Sequence, residues 1–233
     1  MTFNLYGLIL GLAILASFQA SLWLAKRRGI EEKLIEKLFF FVVIDGIIGA
    51  RIYHVVDKWG EIYSLNPQSA FYIWNGGLGI WGAIIGGIIG LWLGKRFLHY
   101  GRNDKGGGRN ELLDIVFFGL PLGQAIGRWG NFFNNEIIGK NSEPLFLYES
   151  VLNLVLFGIL VWIAKRDSST TVGMTKRGII AGIYLIGYGL IRFLLEPLRP
   201  DSIVWKIGGL PAAQIFSAAA LGIGAYLILR KRS

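Results

Sequence analysis

Seven stretches of this chain are apolar over lengths close to the ~20 residues a helix needs to cross the hydrocarbon core of a bilayer. They run roughly over Leu5–Ala25, Leu38–Val56, Ala70–Leu93, Leu112–Ile126, Leu145–Ala164, Gly178–Leu195 and Gly209–Leu229. Of 233 residues, 53% are hydrophobic and only 17% charged. A soluble domain of this length could not cover so much apolar surface with so few charges. The expectation is an all-α, polytopic membrane protein of about seven transmembrane helices. Six prolines and no long polar tract leave no room for a separate soluble domain, so residues 1–233 read as a single transmembrane helical domain. The first block lacks a basic segment before it and reads as a retained span, not a cleaved signal.

Net charge is +9, and its placement matters more than its size. Seventeen of the 24 lysines and arginines fall in one set of loops, around Lys26–Lys37, Lys95–Arg109, Lys165–Arg177 and Arg230–Arg232. The opposite loops hold Lys58, Arg128, Lys140, Arg199 and Lys206. Basic loops stay cytoplasmic, so the amino terminus is expected outside and the carboxyl terminus in the cytoplasm. The charge then reads as a topological signal and an anchor to anionic lipid, and no nucleic-acid partner is expected. With no cysteine and two histidines, neither a thiolate site nor a metal site is expected, and no cofactor is implied.

Two polar groupings interrupt the apolar pattern. The run Gly127-Arg128-Trp129-Gly130-Asn131-Phe132-Phe133-Asn134-Asn135-Glu136-Ile137-Ile138-Gly139 packs one arginine, three asparagines and a glutamate behind the short fourth block. Arg128, Asn131 and Asn135 share a face if helical, and Glu136 does not. Gly130 and Gly139 weaken a continuous helix, so a helix breaking into a loop at the outer face would let Arg128, Asn131 and Glu136 converge. A merely solvated loop would not need Trp129, Phe132 and Phe133. On the sixth block, Tyr188, Arg192, Glu196 and Arg199 are spaced four, four and three apart and share one helical face. Arg192 and Glu196 can pair at i, i+4; a structural ion pair with a snorkelling Arg199 is the competing account.

Within the second block, Asp45 and Arg51 point about 240° apart and cannot pair with each other, so each needs a partner elsewhere. His54 reads chiefly as an interfacial residue beside Trp59. Gly82, Gly86, Gly90 and Gly94 form a four-residue ridge suited to close helix packing. Gly76, Gly77 and Gly79 mark a turn whose backbone N–H groups could meet an anion. Arg51, Arg128, Arg192 and Arg199 together form an outward-facing arginine set. Guanidinium forks suit phosphate, and near headgroup level the ligand would be an anionic or phosphorylated lipid.

The pattern Gly127-Arg128-x-Gly130-Asn131-Phe132-x-Asn134-x-Glu136-x-x-Gly139 resembles the signature of the bacterial prolipoprotein diacylglyceryl transferases. Tyr6-Gly7, Gly49-Ala50-Arg51, Trp74-Asn75-Gly76-Gly77-Leu78, Leu147-Tyr148-Glu149 and Tyr188-Gly189-x-x-Arg192-x-x-x-Glu196-x-x-Arg199-Pro200-Asp201 resemble family segments in order. The resemblance implies transfer of the diacylglyceryl group of phosphatidylglycerol to the thiol of a lipobox cysteine in a prolipoprotein signal peptide, releasing glycerol 1-phosphate at a bacterial inner membrane. It implies that Arg128 and Arg192 hold the phosphate, joined by Arg199 and Arg51. Asn131 would orient headgroup or loop, Glu196 would position Arg192, and Glu136 would orient Arg128 or transfer a proton. Tyr6 and Tyr188 would hydrogen-bond the lipid, with Gly76, Gly77, Asn134 and Gly139 also at the substrate site.

Two departures stand out. Many members carry a histidine, proposed as proton acceptor, where this chain has Trp81, which cannot be a base; His54 or Glu136 is then the candidate. The Lys140–Pro144 stretch is also short, and relatives place a larger external segment there. An anionic-lipid transporter and a phosphatidylglycerol-using transferase with another acceptor are the competing functions; no internal repeat of the kind common in transporters is visible.

Overall fold

The computed structural model describes residues 5–97, 109–134, 138–167, 178–202 and 204–229. Seven α-helices follow one another: α1 Leu5–Arg27, α2 Glu32–Asp57, α3 Ile80–Phe97, α4 Arg109–Phe133, α5 Leu145–Asp167, α6 Ile179–Leu195 and α7 Ala212–Leu229. All but α4 are apolar and long enough to cross a membrane. At 25 residues α4 has the length, but it carries Glu111, Asp114, Gln124, Arg128 and Asn131. Two-residue strands β1 (Lys206–Ile207) and β2 (Leu210–Pro211) pair antiparallel before α7. The chain is an all-α, polytopic membrane protein. Large apolar side chains such as Leu15, Ile48, Ile85, Ile88 and Leu194 are half or more exposed, the reverse of a water-soluble fold.

Two compact units are distinguished, Met1–Gly29 with Gly107–Ser233, and Ile30–Gly106. In the first, α4 lies along α1 through a line of glycines. A Cβ at Gly119 would meet the Ser17 carbonyl, one at Gly123 would stand 3.0 Å from Ser17 Cβ, and one at Gly130 would stand 2.9 Å from the Tyr6 ring. In lipid no hydrophobic force drives helices together, so close backbone approach through small residues supplies the contact. This also explains why α4 runs on to Phe133 instead of breaking at Gly130: the residue that weakens a helix in isolation makes room for Tyr6. Gly182 and Gly224 serve α6 and α7 in the same way.

Asp114 of α4 fixes the start of α6. Its carboxylate is fully buried, accepts from the backbone N–H groups of Gly178 and Ala181 at 2.9 Å each, and pairs with Arg28 at 2.9 Å. Gly178 holds φ +101°, so the chain enters α6 without a side-chain cap of its own and takes one from α4.

In the second unit, α2 and α3 pack through Gly49, Gly82, Gly86 and Gly90, where an added Cβ would strike the opposing backbone or the Asp45 carboxylate. The Asp45 Oδ2 is buried without a hydrogen-bond partner among the described residues. Between these helices the chain forms short irregular turns over Trp59–Tyr63, Pro67–Phe71 and Ile73–Asn75.

The carboxyl ends of α1, α3 and α5 share one construction. Arg27 stands over Trp23 at 5.0 Å, Arg96 over Trp92 at 5.7 Å and Arg166 over Trp162 at 3.8 Å. Tryptophan with arginine one turn later suits an interface, where the ring stays at headgroup depth and the cation reaches water.

Candidate functional site

The charged core of the first unit is built around Glu149, a residue with no exposed surface in the second turn of α5. Arg192 Nη1 donates to its Oε1 at 3.1 Å and Arg199 Nη2 donates to the same oxygen at 2.8 Å. Arg128 Nη2 closes on Oε2 as an ion pair, without hydrogen-bond alignment. Arg192 Nη2 also donates to Glu196 Oε2 at 2.7 Å, the i, i+4 pair its spacing predicts. Arg199 Nε lies 3.6 Å from that oxygen, beyond hydrogen-bonding reach, and is buried without an acceptor among the described residues.

Each arm has a local cause. Arg128 lies five residues before the end of α4, and Arg192 occupies the last turn of α6, where the helix dipole favours a cation. The residues next to Arg128 and Glu149 lock their helices together: Trp129 Nε1 donates to Ser150 Oγ at 3.2 Å, and that hydroxyl donates to the Ala125 carbonyl at 2.9 Å. Asn153 Nδ2 donates to the Glu149 carbonyl at 2.8 Å. Arg199 arrives differently from the single helical face expected. The α-helix ends at Leu195, Glu196–Leu198 forms a 3-10 turn containing Pro197, and Arg199 is extended. Proline in the helix interior removes a donor and clashes with the preceding turn. The turn still delivers Arg199 to Glu149.

The remaining expected residues distribute as follows. Tyr188 stacks on Tyr184 with ring centroids 5.7 Å apart, one turn before Arg192, and Tyr184 is held by Gln124 Nε2 at 2.8 Å. Tyr6 packs against Gly130. Asn131 stays within α4 and Asn134 follows in a turn, its N–H bonded to the Gly130 carbonyl at 3.2 Å. Gly139 donates to the Glu143 carbonyl, and Lys140 N–H to the Leu198 carbonyl, both at 2.9 Å, so the short connection docks on the turn that precedes Arg199. Glu136 lies outside the described residues.

Arg51 belongs to the second unit. All five of its N–H donors are engaged by backbone carbonyls: Nε by Ala70, Nη1 by Gly76 and Gly77, and Nη2 by Ser69 and Tyr72, at 2.6–3.2 Å. It thereby organises the glycine turn whose backbone N–H groups could, from the sequence, meet an anion. Gly76 N–H and Gly79 N–H are bonded to Ile73 and Ala50 carbonyls. His54 Nδ1 lies 3.0 Å from the Tyr63 hydroxyl, and His54 and Arg51 both abut Gly77, where a Cβ would stand 2.8 Å from each.

Chemically, the cluster in the first unit is rich in hydrogen-bond donors. Three forked guanidinium groups carry far more donors than two carboxylates can accept from. Glu149 was not among the site residues expected from sequence. The signal was present: a carboxylate inside an apolar span is costly without a purpose.

The sequence model of the family described as prolipoprotein diacylglyceryl transferase matches residues 1–230. A Synechococcus elongatus protein named phosphatidylglycerol–prolipoprotein diacylglyceryl transferase is 36% identical over 247 residues, covering 94% of this chain and 80% of its own. A Nostoc protein of the same name is 35% identical over 262 residues, covering 100% of this chain and 88% of its own. One from Acaryochloris marina is 36% identical, covering 98% and 88%.

Proposed function

The chain belongs to the prolipoprotein diacylglyceryl transferase family, and from that premise we infer that it transfers the diacylglyceryl group of phosphatidylglycerol to prolipoproteins. The acceptor is the thiol of a lipobox cysteine. Its sulfur attacks the glyceryl carbon that carries the phosphate, a C–S bond forms, and the C–O bond to phosphate breaks. The electron pair leaves on the oxygen of glycerol 1-phosphate. The thiol proton passes to a base, for which His54 and Glu136 are the candidates. The nucleophile comes from the substrate, in keeping with a chain that has no cysteine.

The observation that carries this reading is the convergence of Arg128, Arg192 and Arg199 on one buried carboxylate. As the C–O bond breaks, a second negative charge builds on the phosphate. Cations fixed beforehand stabilise that charge without reorganising, and removing one such donor typically costs about 10²–10³ in rate. Glu149 and Glu196 hold the forks in place, and the buried Arg199 Nε is a donor still to be met.

The site faces the outer side of the bacterial inner membrane. Within α5, Glu149 and Arg166 of the Trp162–Arg166 pair are 17 residues apart, about 25 Å along a helix. The cluster therefore lies at the end opposite the basic, interfacial one, and basic ends face the cytoplasm. Reaching phosphatidylglycerol and an emerging signal peptide requires that side.

The test is direct. Purified protein is incubated with phosphatidylglycerol and a lipobox peptide, and the product is weighed by mass spectrometry. The expected product is the peptide plus one diacylglyceryl group. No adduct, with a known transferase active in parallel, overturns the reading.

A further inference from the structure

Glu149 does more than hold three arginines still; it also leaves a fixed negative charge directly behind them. Both of its oxygens are met by guanidinium nitrogens, and its side chain has no exposed surface. Arg128 faces it from α4, Arg192 from α6, and Arg199 with Glu196 from the turn after α6; its neighbours within α5, Ser150 and Asn153, are neutral. Each arginine meets Glu149 through a single Nη; Arg192 gives its other Nη to Glu196, and the second Nη groups of Arg128 and Arg199 are not bonded to Glu149. A phosphate gripped by those remaining donors has Glu149 about one guanidinium width away.

The reaction changes the charge of its occupant. A phosphodiester carries one negative charge. The phosphate monoester that leaves carries between one and a half and two at neutral pH, with a second pKa of about 6. Repulsion from Glu149 grows with that charge, and in a site of intermediate dielectric the effect per added charge is about one to two powers of ten. We propose that Glu149 is a specificity-determining positioning residue: it arranges the arginines for a singly charged phosphodiester and weakens their hold on a doubly charged phosphate monoester, so that glycerol 1-phosphate departs. The proposal rests on the functional reading above.

Glu149→Gln removes the charge and keeps an oxygen for Arg192 and Arg199, while replacing the Oε2 that pairs with Arg128. Full-length wild type and variant are placed in vesicles, and glycerol 1-phosphate binding is measured by calorimetry at about pH 7.5 and about pH 5.5, on either side of the monoester's second pKa. Competition with phosphatidylglycerol is read alongside from the transfer assay. The variant is expected to bind glycerol 1-phosphate about tenfold or more tightly than wild type at the higher pH, with the gap narrowing at the lower. Equal or weaker binding by the variant, or the same gain at both pH values, overturns the proposal, because a purely structural role predicts no such pH-dependent gain. If wild type transfers normally while the variant shows no gain, this inference falls alone; if wild type neither transfers nor binds the monoester, the functional reading falls with it.

Discussion

Arg192 and Arg199 donate to the same oxygen, Oε1 of Glu149, from opposite ends of a tight turn. Neither can shift without disturbing the acceptor of the other. The six residues that separate them include the helix end and Pro197, so two cations distant in backbone conformation are coupled through one carboxylate.

Arg192→Ala should therefore lower transfer by about 10²–10³-fold while protein level is kept. Arg192→Lys should recover little, since an ammonium cannot bridge Glu149 and Glu196 with a planar fork. Initial rates with phosphatidylglycerol and a lipobox peptide, normalised to purified protein, are the measurement. Activity near wild type in the alanine variant would remove Arg192 from the site.

Gly130→Ala pushes a methyl toward the Tyr6 ring, 2.9 Å from its nearest carbon. The ring must swing away or α1 must retreat from α4. Activity should fall, and pairing the change with Tyr6→Ala should relieve the stability loss but not the activity loss. Thermal unfolding in detergent, read beside transfer rates, separates the two effects.

Asp114→Ala removes the acceptor for Gly178 and Ala181 N–H and the partner of Arg28. Loss of a buried, multiply bonded carboxylate should cost about 3 kcal/mol. Hydrogen exchange should rise first at the start of α6. Protection there equal to wild type would contradict the capping role.

Gly77→Ala combines a φ of +73° with contacts of 2.8 Å to Arg51 and His54. Strain of this kind costs about 1–3 kcal/mol. Arg51→Lys should loosen the same segment by another route, since lysine has fewer donors than the five carbonyls require. In both variants limited proteolysis between Asn66 and Gly79 should speed up.

The loops near the cluster carry a pH signature. Lys140 and Lys206 hold the Asp201 carboxyl below the usual carboxylate range, and hydrogen bonds at Glu143 and Asn141 do the same for Glu143. A carboxyl with a lowered folded pKa contributes stability above its unfolded value and loses it as pH falls through the folded one. Hydrogen exchange of residues 139–143 and 199–206, taken relative to the intrinsic amide rate at each pH, should be insensitive to pH near neutrality and rise only in strongly acidic buffer. Asp201→Asn should remove the acidic rise in the second loop, leaving that in the first.

Much of this was legible in the sequence because bilayers impose blunt rules. Apolar blocks of span length placed most of the helices, but the third began ten residues before α3 and the fourth stopped seven short of the end of α4; spacing on the sixth block foretold the Arg192–Glu196 pair. The shape of the polar run was not legible. Gly130 read as a breaker because its reason for being glycine, the Tyr6 ring, comes from a helix more than a hundred residues earlier. Pro197 ended α6 before Arg199, a local signal that the face argument passed over. Glu149 escaped because its three partners come from α4, α6 and the turn beyond, and no spacing within one segment reveals such a convergence.

The five carbonyls gathered by Arg51 have a consequence for how this chain can diverge. Backbone oxygens are supplied by every residue, so the stretch from Ser69 to Gly77 can exchange many of its side chains without losing a bond. Its length is another matter. One inserted or deleted residue would carry at least one oxygen out of reach of the fork. Variation here should accumulate as substitutions and not as gaps, whereas the exposed tip between β1 and β2, tied by a single pair of short strands, should accept both.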